Sequence, residues 1–166
     1  FWNCWTFRRK RICKKTGNDS WTDPEPIIEV NDFQGGNSNV RYPSFNYDAR
    51  TLYFCADYSK DTSDVDIYYS NYNNGIWSEP VNIGQPINSP SYDGQPSVSA
   101  DNETIYFVRN KTDVENNIPN CKSIYYSRQT PTGEWTKPEL LPIPINVECE
   151  QTPRIGLDNV TLYFSS

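Results

Sequence analysis

Two groups of oxygen-bearing side chains are the residues of this sequence best suited to binding chemistry. The first is a run of carboxylates that comprises Asp57, Asp61, Asp64 and Asp66. Carboxylate oxygens are preferred ligands of calcium, so this run is a candidate calcium site. Its spacing differs from that of a loop that folds around calcium, and solvated turn caps are the alternative interpretation.

The second group recurs at corresponding places in two linkers. Asn88 and Asn146 each follow an isoleucine, and Asp93 and Glu150 each stand three residues before a proline. Polar side chains that recur in this way predict ligand-binding residues or the lining of a water-filled channel. The alternative is that they cap strand ends by hydrogen bonding to backbone amides.

Histidine is absent from the 166 residues, and its absence removes several kinds of chemistry. This sequence alone cannot build a Ser-His-Asp arrangement, a histidine-ligated metal centre or an imidazole pH switch. No catalytic residue is assigned in this segment.

The net charge of −6 is unevenly distributed, because residues 1–15 carry six basic side chains and no acid. The acidic remainder repels nucleic acid, so no nucleic-acid partner is expected. The basic stretch predicts either contact with a phosphate or membrane surface, or a solvated strand edge that complements the acidic body. The five cysteines are widely spaced and include no C-x-x-C pair. A bridge such as Cys4–Cys13 is one expectation, and buried free thiols are the other.

Strands must position these residues, since composition and repetition both favour an all-β fold. The 12 Tyr, 5 Trp and 7 Phe can build a core, while the 13 Pro disfavour helices. Three segments carry Pro, Asp, Thr and a Tyr-Phe pair at identical offsets: residues 42–54, 95–107 and 152–164. An Asp-led turn is expected in each, with the carboxylate bonded to backbone amides.

A second set of segments alternates with the first. Ile-Tyr-Tyr-Ser occurs at 67–70 and 124–127, and each copy is followed by a glycine turn and a tryptophan, Trp77 or Trp135, with Trp21 upstream. One repeat therefore contains four short strands, and the tryptophan strand ends at a proline that suits an outer edge. Four antiparallel strands per repeat predict a β-propeller blade.

These residues resemble the WD40-like repeat of TolB-type β-propellers. Asp66-Ile-Tyr68 and Trp77-Ser-Glu-Pro-Val-Asn-Ile-Gly84 carry the resemblance most closely. The sequence departs from the family at the turn, where Ala49, Asn102 and Asn159 replace a glycine. Asparagine tolerates the left-handed conformation, so the turn at Ala49 departs furthest.

The predicted organisation is about three blade-equivalents. The outer strands of a first blade and the basic stretch fall in 1–30, complete blades in 40–86 and 95–144, and the inner strands of a further blade in 151–166. Propellers typically have about 4–8 blades, so the chain is expected to be part of a larger propeller or a half that pairs with a second copy. Self-association through blade completion is the second of these alternatives.

The resemblance implies a non-catalytic binding module for a protein or cell-envelope component, located outside the cytoplasm in the periplasm or at the outer membrane. A carbohydrate-binding propeller is the alternative, although Tyr68, Tyr69, Tyr106, Tyr125 and Tyr126 lie in predicted strands and are expected in the core. A second alternative is a piece of a propeller lyase or glycosidase whose catalytic residues lie outside this segment. No cofactor is expected apart from the candidate calcium ion.

Overall fold

The computed structural model describes residues 10–36, 38–58, 65–110 and 121–166. Their architecture is all-β with antiparallel pairing, as predicted. Residues 1–9 lie outside the described ranges, and with them two of the six basic side chains of the basic stretch, Arg8 and Arg9. Asp61 and Asp64 also lie outside them.

The first full sheet is built on three long strands, β3 (Val40–Phe45), β4 (Thr51–Ala56) and β5 (Asp66–Asn73). Two short strands, β6 (Ile76–Trp77) and β7 (Val81–Asn82), pair with the second and the first half of β5, respectively, and form the outer edge. The chain between β6 and β7 passes through Pro80, which has no N–H to donate to the ladder. The tryptophan strand β6 therefore lies at the outer edge of the sheet, as the sequence predicts, and Pro80 interrupts this edge.

The second full sheet repeats this arrangement. It consists of β8 (Asp93–Val98), β9 (Thr104–Asn110), β10 (Lys122–Arg128) and β11 (Glu139–Leu140), hydrogen-bonded in that order. A further bridge joins Gln129 to Trp135, as the β6 pairing joins Tyr72 to Trp77. Both sheets thus place their tryptophan at the same point of the outer edge.

Two smaller sheets flank the full ones. Before them, β1 (Arg11–Ile12) pairs with β2 (Glu25–Pro26), and after them β12 (Gln151–Ile155) pairs with β13 (Leu162–Ser165). The first strands β3, β8 and β12 lie side by side, with β8 between the other two. The described sheets are therefore neighbours in chain order, with their first strands adjacent, and they do not close into a ring.

A short helix, α1 (Ile28–Asn31), and a 3-10 turn at Phe33–Gly35 precede β3, where the sequence predicts no helix. The helix buries Val30 completely, and the Val30 carbonyl accepts a hydrogen bond from the Tyr58 hydroxyl at 2.8 Å. One turn of helix is therefore stabilised by a contact with a residue far along the chain, since its own sequence has weak helix propensity.

Aromatic and branched side chains form the core, as the composition predicts. One buried cluster centres on Phe54, Tyr58 and Tyr68, with Tyr58 and Tyr68 in edge-to-face contact at 4.8 Å between ring centroids. A second, between the two full sheets, centres on Ile67, Ile105 and Phe107. The interface between neighbouring sheets is thus an apolar layer to which both sheets contribute.

The three predicted Asp-led turns are confirmed. Asp48, Asp101 and Asp158 each accept a hydrogen bond from a backbone N–H two residues later. The residues that follow them, Ala49, Asn102 and Asn159, all have left-handed φ angles of 57°, 64° and 58°. Ala49 therefore adopts the same turn as the asparagines, in a conformation that disfavours a residue with a Cβ.

Each first strand carries a β-bulge directly before its proline. The strand register shifts between Arg41 and Ser44 in β3, and equivalent shifts occur in β8 and β12. The residue before proline has a positive φ in all three strands: 53° at Tyr42, 56° at Gln95 and 50° at Thr152. Such conformations cost free energy in a non-glycine residue, so the fold holds the same strained bend three times.

One disulfide joins Cys121 to Cys149 and connects the start of β10 to the linker before β12. The sequence does not predict this pairing, because the two cysteines meet only when the linker folds back along β10. Cys13 is an exposed free thiol and Cys55 a buried one, while Cys4 lies outside the described residues. No helix in the described ranges is long and apolar enough to cross a membrane.

Candidate functional site

The recurrent linker asparagines bind each linker to its own sheet, at a residue in a strand or directly before it. The Asn88 side chain accepts a hydrogen bond from the Ile67 N–H and donates one to the Ile67 carbonyl, both at 2.9 Å. Asn146 makes the same pair of bonds with Ile124, and Asn31 makes it with Lys10. We call Asn31, Asn88 and Asn146 the linker asparagines. Their amides are occupied by backbone in each of the three cases.

Asp93 lies at the start of β8 and is fully buried. Its Oδ1 accepts a hydrogen bond from Arg109 Nε at 2.6 Å, and its Oδ2 accepts bonds from the Ser89 N–H and hydroxyl at 2.7 and 2.6 Å. Arg109 also donates to the Ile87 carbonyl at 2.7 Å. The carboxylate and guanidinium thus join β8, β9 and the preceding linker.

Glu150 occupies the position that corresponds to Asp93 one sheet later, and its side chain is equally buried. Its Oε1 accepts hydrogen bonds from the N–H groups of Val147 and Glu148. Its Oε2 is buried and has no hydrogen-bond partner in the described residues. Glu150 therefore keeps one free acceptor, and among the predicted ligand residues it alone has an unpaired buried oxygen.

The candidate calcium residues are only partly within the described ranges. Asp57 accepts two hydrogen bonds from Asn39, one from its N–H and one from its side chain. Asp66 accepts one from the Asn82 side chain at 2.8 Å. No cluster of three or more metal-ligating side chains occurs among the described residues. The calcium site remains a prediction, because Asp61 and Asp64 lie outside the described part of the chain.

A cavity of about 800 Å³ opens beside the first strands β3 and β12. We call it the axial cavity; it is lined mainly by Lys10, Asn39, Arg41, Tyr42, Pro43 and Arg154. Arg154 donates hydrogen bonds to the carbonyls of Pro96 and Pro153 through one nitrogen, Nη1, and burial lowers the pKa of its guanidinium. Arg41 is exposed. The lining is strongly cationic although the chain as a whole is acidic.

A second cavity of about 610 Å³ lies between the two full sheets, on their outer side. We call it the inter-blade cleft. One wall consists of Tyr53 and Tyr69, which face each other across β4 and β5 with ring centroids 6.1 Å apart. The other wall consists of Gln129, Glu134 and Trp135 from the hairpin after β10.

Polar side chains complete the inter-blade cleft. Asn71 of β5 and Gln85 of the linker line it together with the two walls. Burial raises the pKa of Tyr53 to about 12, and the neighbouring Tyr69 adds to this rise. The Tyr53 hydroxyl is therefore protonated at neutral pH and remains a hydrogen-bond donor.

The sequence predicts neither cavity, because each is formed by residues that belong to different repeats. Tyr69 is expected in the core but lines the inter-blade cleft, whereas the prediction for Tyr68 is confirmed, since only 9% of it is exposed. One difference between the repeats is visible in the sequence. Tyr69, Asn71 and Gln85 occupy the positions that Ile12, Lys14 and Ile28 occupy in the preceding repeat.

The fold of this chain is similar to that of known β-propellers. The crystal structure of TolB from Acinetobacter baumannii matches with a TM-score of 0.55 and 16% sequence identity, over 86% of this chain and 29% of that chain. A chain from a structural and mechanistic analysis of two prolyl endopeptidases matches with a TM-score of 0.49 and 14% identity, over 85% of this chain and 20% of that one. No protein-family model and no curated protein matches the sequence.

These observations define the class of fold: the chain forms consecutive blades of a β-propeller that is not closed by the described residues. Within that class its fold is similar to that of TolB, and it spans less than a third of the TolB chain. The similarity concerns the fold, and the sites described above belong to this chain.

Proposed function

We propose that this chain is a non-catalytic propeller module that binds an acidic segment of a protein partner at the axial cavity. The observation that carries the proposal is the pair Arg41 and Arg154, which come from first strands two sheets apart and line one cavity of about 800 Å³. A guanidinium presents several donors in a fixed plane that match a carboxylate. Two such groups with Lys10 nearby provide a site for more than one carboxylate.

The local charge supports an anionic ligand. The chain carries 21 acidic and 15 basic residues, so a cavity lined by three cations differs in sign from the chain as a whole. Asp57 lies next to this lining, and both of its oxygens accept hydrogen bonds from Asn39, which lines the cavity. The complementary charge of an acidic peptide favours association, and salt weakens it.

The strained backbone lies in the same place. Tyr42 lines the cavity and has a φ of 53° directly before Pro43. Strained residues persist where the surrounding structure holds them, and they are frequent at binding sites. The bulge at Tyr42 fixes the direction of the strand that carries Arg41, which favours a rigid binding surface.

An extracytoplasmic location is part of this proposal. The disulfide between Cys121 and Cys149 supports it, because disulfides persist in oxidising compartments and are rare in reducing ones. A protein or cell-envelope component that carries exposed carboxylates is the partner that this setting and this cavity favour.

Binding of a fluorescein-labelled decaglutamate peptide, followed by fluorescence anisotropy, tests the proposal. We expect binding that weakens as salt is raised, and an affinity lowered at least about tenfold by Arg41→Gln or Arg154→Gln, since a charge-assisted hydrogen bond contributes about 1.5–3 kcal/mol. Arg50→Gln is the matched control, because Arg50 is exposed on a turn away from the cavity. Equal binding of a Gly-Ser peptide, or no effect of either cavity substitution, would contradict the proposal.

The alternative of a lyase or glycosidase predicts a different result. Its catalytic residues would lie outside this segment, so a longer chain that includes the flanking sequence would turn over a polysaccharide. Binding of the acidic peptide without any such turnover favours the binding module.

A further inference from the structure

We propose that the inter-blade cleft is a separate binding site for a neutral saccharide. Its volume of about 610 Å³ lies within the range of small-molecule sites, which is about 300–1,000 Å³. The cleft lies on the outer side of the two full sheets, and it shares no lining residue with the axial cavity. The two sites are therefore testable independently.

The aromatic lining suits the apolar faces of sugar rings. Tyr53, Tyr69 and Trp135 border the cleft, and each combines an apolar ring with a polar group at its edge. A pyranose ring likewise presents a C–H face and a rim of hydroxyl groups. Stacking against an aromatic ring buries the C–H face and leaves the hydroxyl groups at the polar part of the cleft.

The polar lining suits hydroxyl groups. The side chains of Gln85, Gln129 and Glu134 border the cleft and make no hydrogen bond within the described residues. A side-chain amide both donates and accepts hydrogen bonds, as a sugar hydroxyl does. The Tyr53 hydroxyl, protonated at neutral pH, adds a further donor.

The charge of the lining argues for a neutral ligand. Glu134 is the only charged residue among those that line the cleft in the described structure. An acidic sugar would be repelled by this carboxylate and would find no cation in the lining. The contrast with the cationic axial cavity separates the ligand classes of the two sites.

A comparison with the preceding inter-sheet gap shows that the cleft is more than a consequence of blade packing. That gap lies beside Trp77 and has a volume of about 260 Å³, and its lining includes Ile12, Lys14, Glu25, Ile28 and Glu29. At the positions of Ile12, Lys14 and Ile28 the inter-blade cleft has Tyr69, Asn71 and Gln85. In the smaller gap, Lys14 also lies over the Tyr72 ring at 5.7 Å. The same architecture thus gives a small gap with three charged side chains in one place, and in the other a larger cleft with one charged side chain and three side-chain amides.

Isothermal titration calorimetry of the full chain with neutral trisaccharides tests this inference. The probes are cellotriose, maltotriose and the trimer of N-acetylglucosamine. We expect one of them to bind and to change the tryptophan fluorescence. Gln129→Ala is expected to lower the affinity about threefold to tenfold, since a hydrogen bond contributes about 0.5–1.5 kcal/mol, and Trp135→Ala to lower it at least tenfold.

The controls keep the inference separable from folding and from the axial cavity. Trp21→Ala removes the tryptophan at the corresponding position of the first hairpin, which is 61% exposed, and is expected to leave binding unchanged. Arg41→Gln should also leave it unchanged, although it weakens binding of the acidic peptide. Gln129 is exposed, so its substitution is expected to preserve the thermal unfolding midpoint.

Three results would overturn the inference. They are the absence of binding by all three trisaccharides at millimolar concentration, binding that neither Gln129→Ala nor Trp135→Ala weakens, and preferential binding of a proline-rich decapeptide to the same residues. Loss of the decaglutamate interaction alone bears on the proposed function and leaves the saccharide site intact.

Discussion

Arg109 Nε lies 2.6 Å from Oδ1 of Asp93, and the Asp93 side chain is fully buried. The two residues face each other across the β8–β9 pairing. Burial raises the pKa of the Asp93 carboxyl, and the hydrogen bonds from Ser89 and Arg109 oppose that rise. The guanidinium therefore allows a carboxylate to be charged inside the protein.

Arg109→Met should destabilise the fold by about 3–5 kcal/mol at neutral pH, because it leaves a buried charge without its partner. In the folded variant the pKa of Asp93 is raised further above its unfolded value. The loss in free energy of unfolding relative to the unsubstituted protein is then largest above that folded pKa. It becomes smaller as the pH falls and the carboxyl takes up a proton. Urea unfolding at several pH values measures this. A deficit that does not change with pH would contradict the assignment, and Arg128→Met is the control for a surface arginine.

The linker asparagines predict a loss of stability that is independent of ligand. Asn88→Ala removes the two partners of the buried Ile67 N–H and carbonyl, and should lower the free energy of unfolding by about 2–3 kcal/mol. Asn73→Ala, at an exposed position of β5, is the control and should change it by less than about 0.5 kcal/mol. Equal effects of the two substitutions in urea unfolding would show that the Asn88 bonds contribute nothing specific.

The turn at Ala49 is a site where a substitution should stabilise the protein. Ala49 has a φ of 57°, and asparagine occupies the corresponding positions 102 and 159. Ala49→Asn should raise the free energy of unfolding by about 0.5–1 kcal/mol, because asparagine tolerates the left-handed conformation better. The thermal unfolding midpoint reports the change. A lower midpoint would show that the Ala49 methyl group makes a contact that outweighs the backbone strain.

The exposed side of β13 predicts self-association in solution. Phe164 is 40% exposed and Tyr163 is 65% exposed, whereas Phe54 and Phe107, at the position of Phe164 in the full sheets, are completely buried. We expect β13 of one copy to pair with β1 of a second copy, so that two partial blades complete each other. Analytical ultracentrifugation should show a concentration-dependent dimer that Phe164→Lys abolishes.

Tyr47→Lys is the control for this prediction, because Tyr47 is 69% exposed on a turn rather than on an unpaired strand. Phe164→Lys and Tyr47→Lys should unfold at similar temperatures as monomers. A monomer at every concentration, or a dimer that persists in Phe164→Lys, would exclude pairing through β13.

Much of the fold can be predicted from the sequence because its signals are local. The Asp48, Asp101 and Asp158 turns depend on hydrogen bonds within four residues, and strands such as β4 and β9 are runs of β-branched and aromatic residues. Helix α1 escapes prediction, since the bond from Tyr58 to Val30 joins residues 28 positions apart. The Cys121–Cys149 disulfide escapes it for the same reason, because its pairing follows from the path of a whole linker.

The candidate sites likewise combine features that the local sequence indicates with features that depend on contacts between distant residues. The recurrence of Asn88 and Asn146 indicates correctly that the linkers are special, but only the structure shows that backbone groups occupy their amides. The axial cavity and the inter-blade cleft depend on which repeats become neighbours, as the approach of Arg154 to Arg41 and of Trp135 to Tyr69 illustrates. No single segment contains that information.

The bonds of the linker asparagines have a consequence for how such a chain can change in length. Asn88 follows the outer strands of its sheet and binds Ile67 of that same sheet, and Asn146 is related to Ile124 in the same way. Each sheet therefore contains its own hydrogen bonds between its third strand and the linker that follows it. A tandem duplication or deletion of one sheet together with its linker would leave all of these hydrogen bonds in place. The number of sheets can then vary while each sheet keeps its own hydrogen bonds, and only the packing contacts between neighbouring sheets must change.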